Sequence, residues 1–94
     1  MLVLPAELTH AHAAACCRML EQGLRGNSDP AVVADATALR HFDSSALAVL
    51  LDCRREALAL GKSFAVKGLP PRLRELAGLY GVGDLLPAAP GAPA

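Results

Sequence analysis

Residues 41–45 read His-Phe-Asp-Ser-Ser, placing an imidazole, a carboxylate and two hydroxyls side by side. Three chemistries can use such a group. A serine nucleophile would take His41 as its base. However, hydrolase serines sit on a glycine-flanked elbow, and no glycine is present here. A phosphoacceptor would place Ser44 at the positive end of a helix dipole, where free amides favour a phosphoryl group. Asp43 beside it would repel the added charge of nearly two units, as suits a contact that is switched on and off. The simplest chemistry is structural: Asp43 or Ser44 accepts a hydrogen bond from the first unpaired amides of a following helix.

A second grouping, His10, His12, Cys16 and Cys17, has metal-ligand residue types. On a helix His12 and Cys16 share a face, whereas His10 lies nearly opposite His12. One helix side therefore cannot supply the about four converging ligands of a tetrahedral zinc site. Neither this group nor Cys53, which falls within an apolar helical arc, has the electropositive setting of a reactive thiol. The expectation is a protein without catalysis, metal or cofactor.

These residues must be positioned by local elements. "LVLPAEL" (2–8) begins extended, and Thr9 suits the N-cap of the alanine-rich "HAHAAACCRMLEQGL". The Gly, Asn, Ser, Asp and Pro of 25–30 predict a loop, and "AVVADAT" (31–37) a buried strand. "SALAVLLDCRREALAL" predicts a helix closed by Gly61, and "KSFAVKG" (62–68) another strand. Pro70 and Pro71 suit the first turn of "PRLRELAGLY", with Gly81 ending it. The domain is expected to span 1–87, followed by a disordered Pro/Ala-rich tail, 88–94.

Alternating strands and helices imply an α/β fold with a small, mostly parallel sheet packed by helices. Three such strands would leave apolar surface uncovered, so a further strand or a partner is expected. The helix after the serines has an apolar arc of roughly 200°, wider than the ~100° stripe of a surface helix. Arg54 falls inside that arc. Either it snorkels outward, or the edge around Leu47, Leu51, Arg54 and Leu58 meets another protein.

The composition narrows the function class. The chain has 94 residues, nine basic and nine acidic side chains, and no tryptophan. A nucleic-acid binder usually carries a basic excess and stacking aromatics, so nucleic acid is not an expected partner. Three cysteines, two of them adjacent, suggest no disulfide framework. The first residues lack the basic region of a signal peptide, and no stretch approaches the ~20 apolar residues of a membrane span. A cytoplasmic location without direct membrane insertion is expected.

The run "VVADATALRHFDSSALAVLL" (32–51) resembles the central segment of STAS domains, the sulfate-transporter and anti-sigma-factor-antagonist family. There a strand leads to Asp-Ser-Ser-Gly or Asp-Thr-Gly-Gly and then a helix. "KSFAVKGLPPRLRELAGLYGVGDLLP" (62–87) is similar to the family's next strand, proline-initiated helix and closing segment, and "AELT" (6–9) loosely to its early turn. The ending "LAGLYGVGDLLP" resembles the MlaB branch, cytosolic subunits of the bacterial phospholipid ABC transporter that maintains outer-membrane lipid asymmetry.

That resemblance implies a STAS-like fold and a non-enzymatic subunit that binds an MlaF-like ATPase at the inner membrane. It places the partner contact at Asp43, Ser44 and Ser45, with Leu47, Leu51 and Arg54. Ser44 matches the family's phosphoacceptor, so the alternative is an anti-sigma-factor antagonist controlled by an anti-sigma factor with serine-kinase activity. Ala46 stands where many members have glycine, and Thr9 where the early turn has aspartate. The family's first strand is expected to be missing, which would leave a sheet edge and favour a homodimer in isolation.

Overall fold

The computed structural model describes residues 2–26 and 28–89. In chain order the elements are β1 (Leu2–Val3), β2 (Glu7–Leu8), α1 (His10–Arg25), β3 (Ala31–Asp35), β4 (His41–Phe42), α2 (Ser45–Ala59), β5 (Ser63–Lys67) and α3 (Pro71–Leu79). A 3-10 turn follows at Gly83–Leu85. The order predicted from sequence is present, with two additions. The extended start divides into β1 and β2, and β4 precedes the opening serines.

β1, β3 and β5 form one parallel sheet in that spatial order, and β2 pairs with β4 in a second parallel pair. The chain thus moves across the larger sheet in one direction. Right-handed crossovers then place α1 and α2 on the same face, where they pack on each other. Burial follows the pleat. Leu2, Val32, Ala34, Phe64 and Val66 point into the core, while Val3, Val33, Asp35, Ala65 and Lys67 alternate onto the other face. The uncovered sheet surface expected from sequence is that second face.

The single core draws on every helix: Leu20 and Leu24 from α1, Leu47, Leu50 and Cys53 from α2, Leu73 and Ala77 from α3. Among the described residues no polar or charged side chain is buried, in keeping with a core built from alanine, leucine and valine.

Local chemistry explains the ends of these elements. Gly61 and Gly81 take the left-handed conformation just past α2 and α3 (φ 74° and 73°), as predicted for helix-closing glycines. Gly68, after β5, is also left-handed (φ 67°). A Cβ there would meet the Thr37 Cγ2 at 2.2 Å and the Thr37 Cα at 3.2 Å. Only glycine lets the end of β5 approach the β3–β4 loop this closely.

Within the stretch expected as a Pro/Ala-rich tail, Ala88 forms a parallel bridge to Val66 beside β5. Val66 donates its amide to the Pro87 carbonyl (2.8 Å), and Ala89 donates its own to the Val66 carbonyl (2.9 Å). Backbone pairing of this kind does not depend on side-chain pattern, so a Pro/Ala composition did not reveal it. Residues 90–94, the rest of that tail, lie outside the described residues.

Candidate functional site

The β2–β4 pair is two residues long on each strand, yet it organises the site. Its register sets Glu7 beside His41 and Leu8 beside Phe42. Continued by one residue, it sets Asp43 opposite Thr9, so α1 and α2 start side by side. The Asp43 carboxylate uses this placement to hold both helices. Its Oδ2 accepts the His10 amide at 3.0 Å, and its Oδ1 accepts the Ser45 amide at 2.8 Å.

Asp43 therefore does the work that the sequence divided among Asp43, Ser44 and Thr9. Thr9 and Ser44 occupy the N-cap positions, but neither side chain bonds to a helix amide. Thr9 Oγ1 instead lies 3.0 Å from His12 Nδ1. Ser44 is exposed, with helical backbone angles (φ −61°, ψ −17°). Accepting the His10 and Ser45 amides favours the ionised form, so the Asp43 carboxyl is held below its ordinary value.

The predicted contact residues separate into two groups. Asp43 and Ser44 are exposed and Ser45 half-buried at the start of α2. Leu51 and Arg54 are half-buried and Leu58 is 47% exposed, forming an outward stripe one helical turn apart. Leu47 does not join them. It is 3% exposed and packed in the core, so the chain's own fold takes up its surface. The helical projection gave the apolar arc but not where on it the sheet ends and solvent begins.

Sequence reasoning missed a second constellation beside this one. Asp35 Oδ1 accepts both the Thr37 amide (3.0 Å) and the Thr37 hydroxyl (2.6 Å). These bonds, with Lys67 nearby, hold the Asp35 carboxyl below its ordinary value. The signal was present as Asp-Ala-Thr, a spacing at which aspartate bonds the backbone two residues on. Next to it, at the carboxyl ends of β3 and β5, lies a hollow of about 660 Å³ lined by Thr37, Leu39, Gly68, Leu69, Pro70 and Arg74, among others. Parallel sheets commonly bind ligands at that end of their strands.

The cysteines have other neighbours than the histidines. Cys17 Sγ donates to Asp52 Oδ2 at 2.9 Å across the α1–α2 contact, and Asp52 also pairs with Arg55. Ligand atoms of Cys17, Glu21 and Asp52 lie within 4.8 Å of one another, and this is the only such convergent group among the described residues. His10 and His12 are not part of it. Burial, then the bond and charge of Asp52, pushes the Cys17 thiol up to about 12. Burial pushes Cys53 up to about 11, and Cys16 is raised for the same reason. Thiols this weakly acidic are poor nucleophiles at neutral pH.

Three comparisons with known proteins bear on this site. The family model described as "Mlab, STAS domain" matches residues 1–87. Among solved structures, the chain is similar to the anti-sigma factor antagonist SpoIIAA in its unphosphorylated form, with a TM-score of 0.72 at 19% identity. That match covers 95% of this chain and 77% of SpoIIAA, and at such identity it establishes the fold alone. No curated protein matches the chain. With a parallel α/β sheet, helices on one face and an Asp-Ser-Ser turn at the head of α2, the chain belongs to the MlaB-like STAS domain family.

Proposed function

We propose that the chain is a non-enzymatic binding subunit that docks on the ATPase of a phospholipid ABC transporter and supports its activity. The observation that carries this reading is the MlaB-labelled family match over residues 1–87. The geometry is compatible with it. Asp43 fixes the start of α2, Ser44 and Ser45 stand at or near the surface there, and Leu51 and Arg54 are half-buried further along the helix. The hollow beside Thr37 would accept a partner side chain at the same end of the domain. No described helix is long and apolar enough to cross a membrane, and the proposed attachment to one is through the ATPase.

Co-expression with an ABC ATPase subunit encoded in a neighbouring gene tests this reading. A complex that survives gel filtration, with both chains identified by mass, supports it. Failure of the two chains to associate, with or without nucleotide, contradicts it.

A second reading rests on Ser44, whose exposed side chain takes no part in capping and matches the phosphoacceptor position of the family. In an anti-sigma-factor antagonist, phosphate at Ser44 would add nearly two charges beside Asp43 and repel the carboxylate that holds both helices. This reading predicts a one-phosphate mass gain at Ser44 when a cognate serine kinase and ATP are supplied. No gain, together with ATPase binding, eliminates it.

A further inference from the structure

The sheet face opposite the helices can be read in rows from the strand register. Ala31 sits beside Ser63, Val33 beside Ala65, and Asp35 between Val3 and Lys67. Val3 is 60% exposed, and Val33, Ala65 and Asp35 are half-buried. All three crossovers, including that from β5 through α3 to Ala88, run in one direction, which leaves this face without a helix. Parallel sheets are ordinarily covered on both faces, so the surface requires an occupant.

We propose that the occupant is a second copy of the chain, packed face to face about a two-fold axis parallel to the strands and midway between β3 and β5. Such an axis exchanges β3 with β5, so each row meets its own reverse. Val33 of one copy faces Ala65 of the other, a large side chain against a small one. Asp35 faces Lys67 and Lys67 faces Asp35, so both charges meet their opposites. Ala31 faces Ser63. A two-fold axis across the strands would instead stack the charged row on Ala31 and Ser63, and both matches would be lost. The match thus comes from the pairing Ala31↔Ser63, Val33↔Ala65, Asp35↔Lys67 seen within one copy. The two Thr37 bonds hold the Asp35 carboxylate in place for this role.

The face is small. The five-residue strands β3 and β5 and the two-residue β1, about 4.8 Å apart, give a footprint of roughly 190 Å². Stable interfaces cover about 800 Å² per partner, so the pairing is weak and transient. Like-charge juxtaposition at both symmetric positions would weaken it by about tenfold or more.

Sedimentation velocity of the full chain from ~10 μM to ~1 mM tests the proposal, since mass action must raise the dimer fraction across that range. Asp35→Lys and Lys67→Glu should each reduce self-association, because each sets like charges against one another. Mixed together, the two variants should form a heterodimer at least as readily as the wild type, because every facing pair becomes opposite in sign. Circular dichroism confirms that each variant is folded. Should Asp35→Lys fail to fold after losing its bonds to Thr37, Lys67→Glu and the salt dependence of the wild-type dimer decide the matter. A chain that stays monomeric, self-association indifferent to Lys67→Glu and to salt, or folded variants whose mixture is no tighter than either alone would each overturn it.

Discussion

Replacing Gly68 by alanine tests how the end of β5 is locked to the β3–β4 loop that leads to Asp43. Two costs arise. Holding a non-glycine residue at φ 67° costs about 1–2 kcal/mol. The new Cβ would also lie 2.2 Å from Thr37 Cγ2 and 3.2–3.3 Å from Thr37 Cα and Cβ, and such overpacking costs about 1–3 kcal/mol. The sum is ~2–5 kcal/mol, a large share of the ~5–14 kcal/mol expected for a domain of this length. For a domain of this size it corresponds to a fall in Tm of roughly 10–30 °C. Thermal and urea unfolding of four proteins isolates the cause: wild type, Gly68→Ala, Thr37→Ser and the double variant. Thr37→Ser removes the methyl group at 2.2 Å but keeps the hydroxyl that donates to Asp35. It should recover the methyl's part, about 1–2 kcal/mol, and leave the backbone cost in place. A Gly68→Ala protein within ~0.5 kcal/mol of wild type, or no recovery from Thr37→Ser, would refute the reasoning.

Asp43→Asn leaves one acceptor oxygen for two amides, and Asp43→Ala leaves none. Hydrogen exchange should therefore speed at one of the His10 and Ser45 amides in the first and at both in the second. Because the Asp43 and Asp35 carboxyls are held below their ordinary values, the stability they contribute is complete above the unfolded carboxyl pKa of ~3.9. It is lost as pH falls through their folded values, so Asp43→Ala should flatten the acid limb of a stability–pH curve. At pH 8 the thiolate fraction of Cys17 should be reduced by on the order of a thousandfold and that of Cys53 by about a hundredfold relative to a free thiol. A thiol reagent should therefore label the folded chain slowly and all three cysteines quickly in urea.

What was legible in the sequence follows the range of the interactions involved. The helices and the two five-residue strands announced themselves through local periodicity, and Gly61 and Gly81 through the backbone angles they permit. Asp43 was legible as a cap for α2, a contact two residues away. Its second bond, to His10, spans 33 positions and depends on the β2–β4 pairing, whose strands are too short to show a period. The burial of Leu47 was not legible, because a helical projection shows which residues share an arc but not how deep the sheet lies beneath it. Cys17 was grouped with histidines on its own helix, whereas its partner, Asp52, comes from the neighbouring one.

The central claim is that the start of α2 is a docking surface arranged by Asp43. The most direct measurement is retention of the ABC ATPase proposed as its partner by tagged wild-type, Ser44→Ala and Ser44→Glu chains. Ser44 does not cap α2, so Ser44→Ala should remain folded and keep the ATPase. Ser44→Glu adds a charge beside Asp43 at the proposed contact and should release it. Equal retention of the ATPase by all three chains would contradict the account.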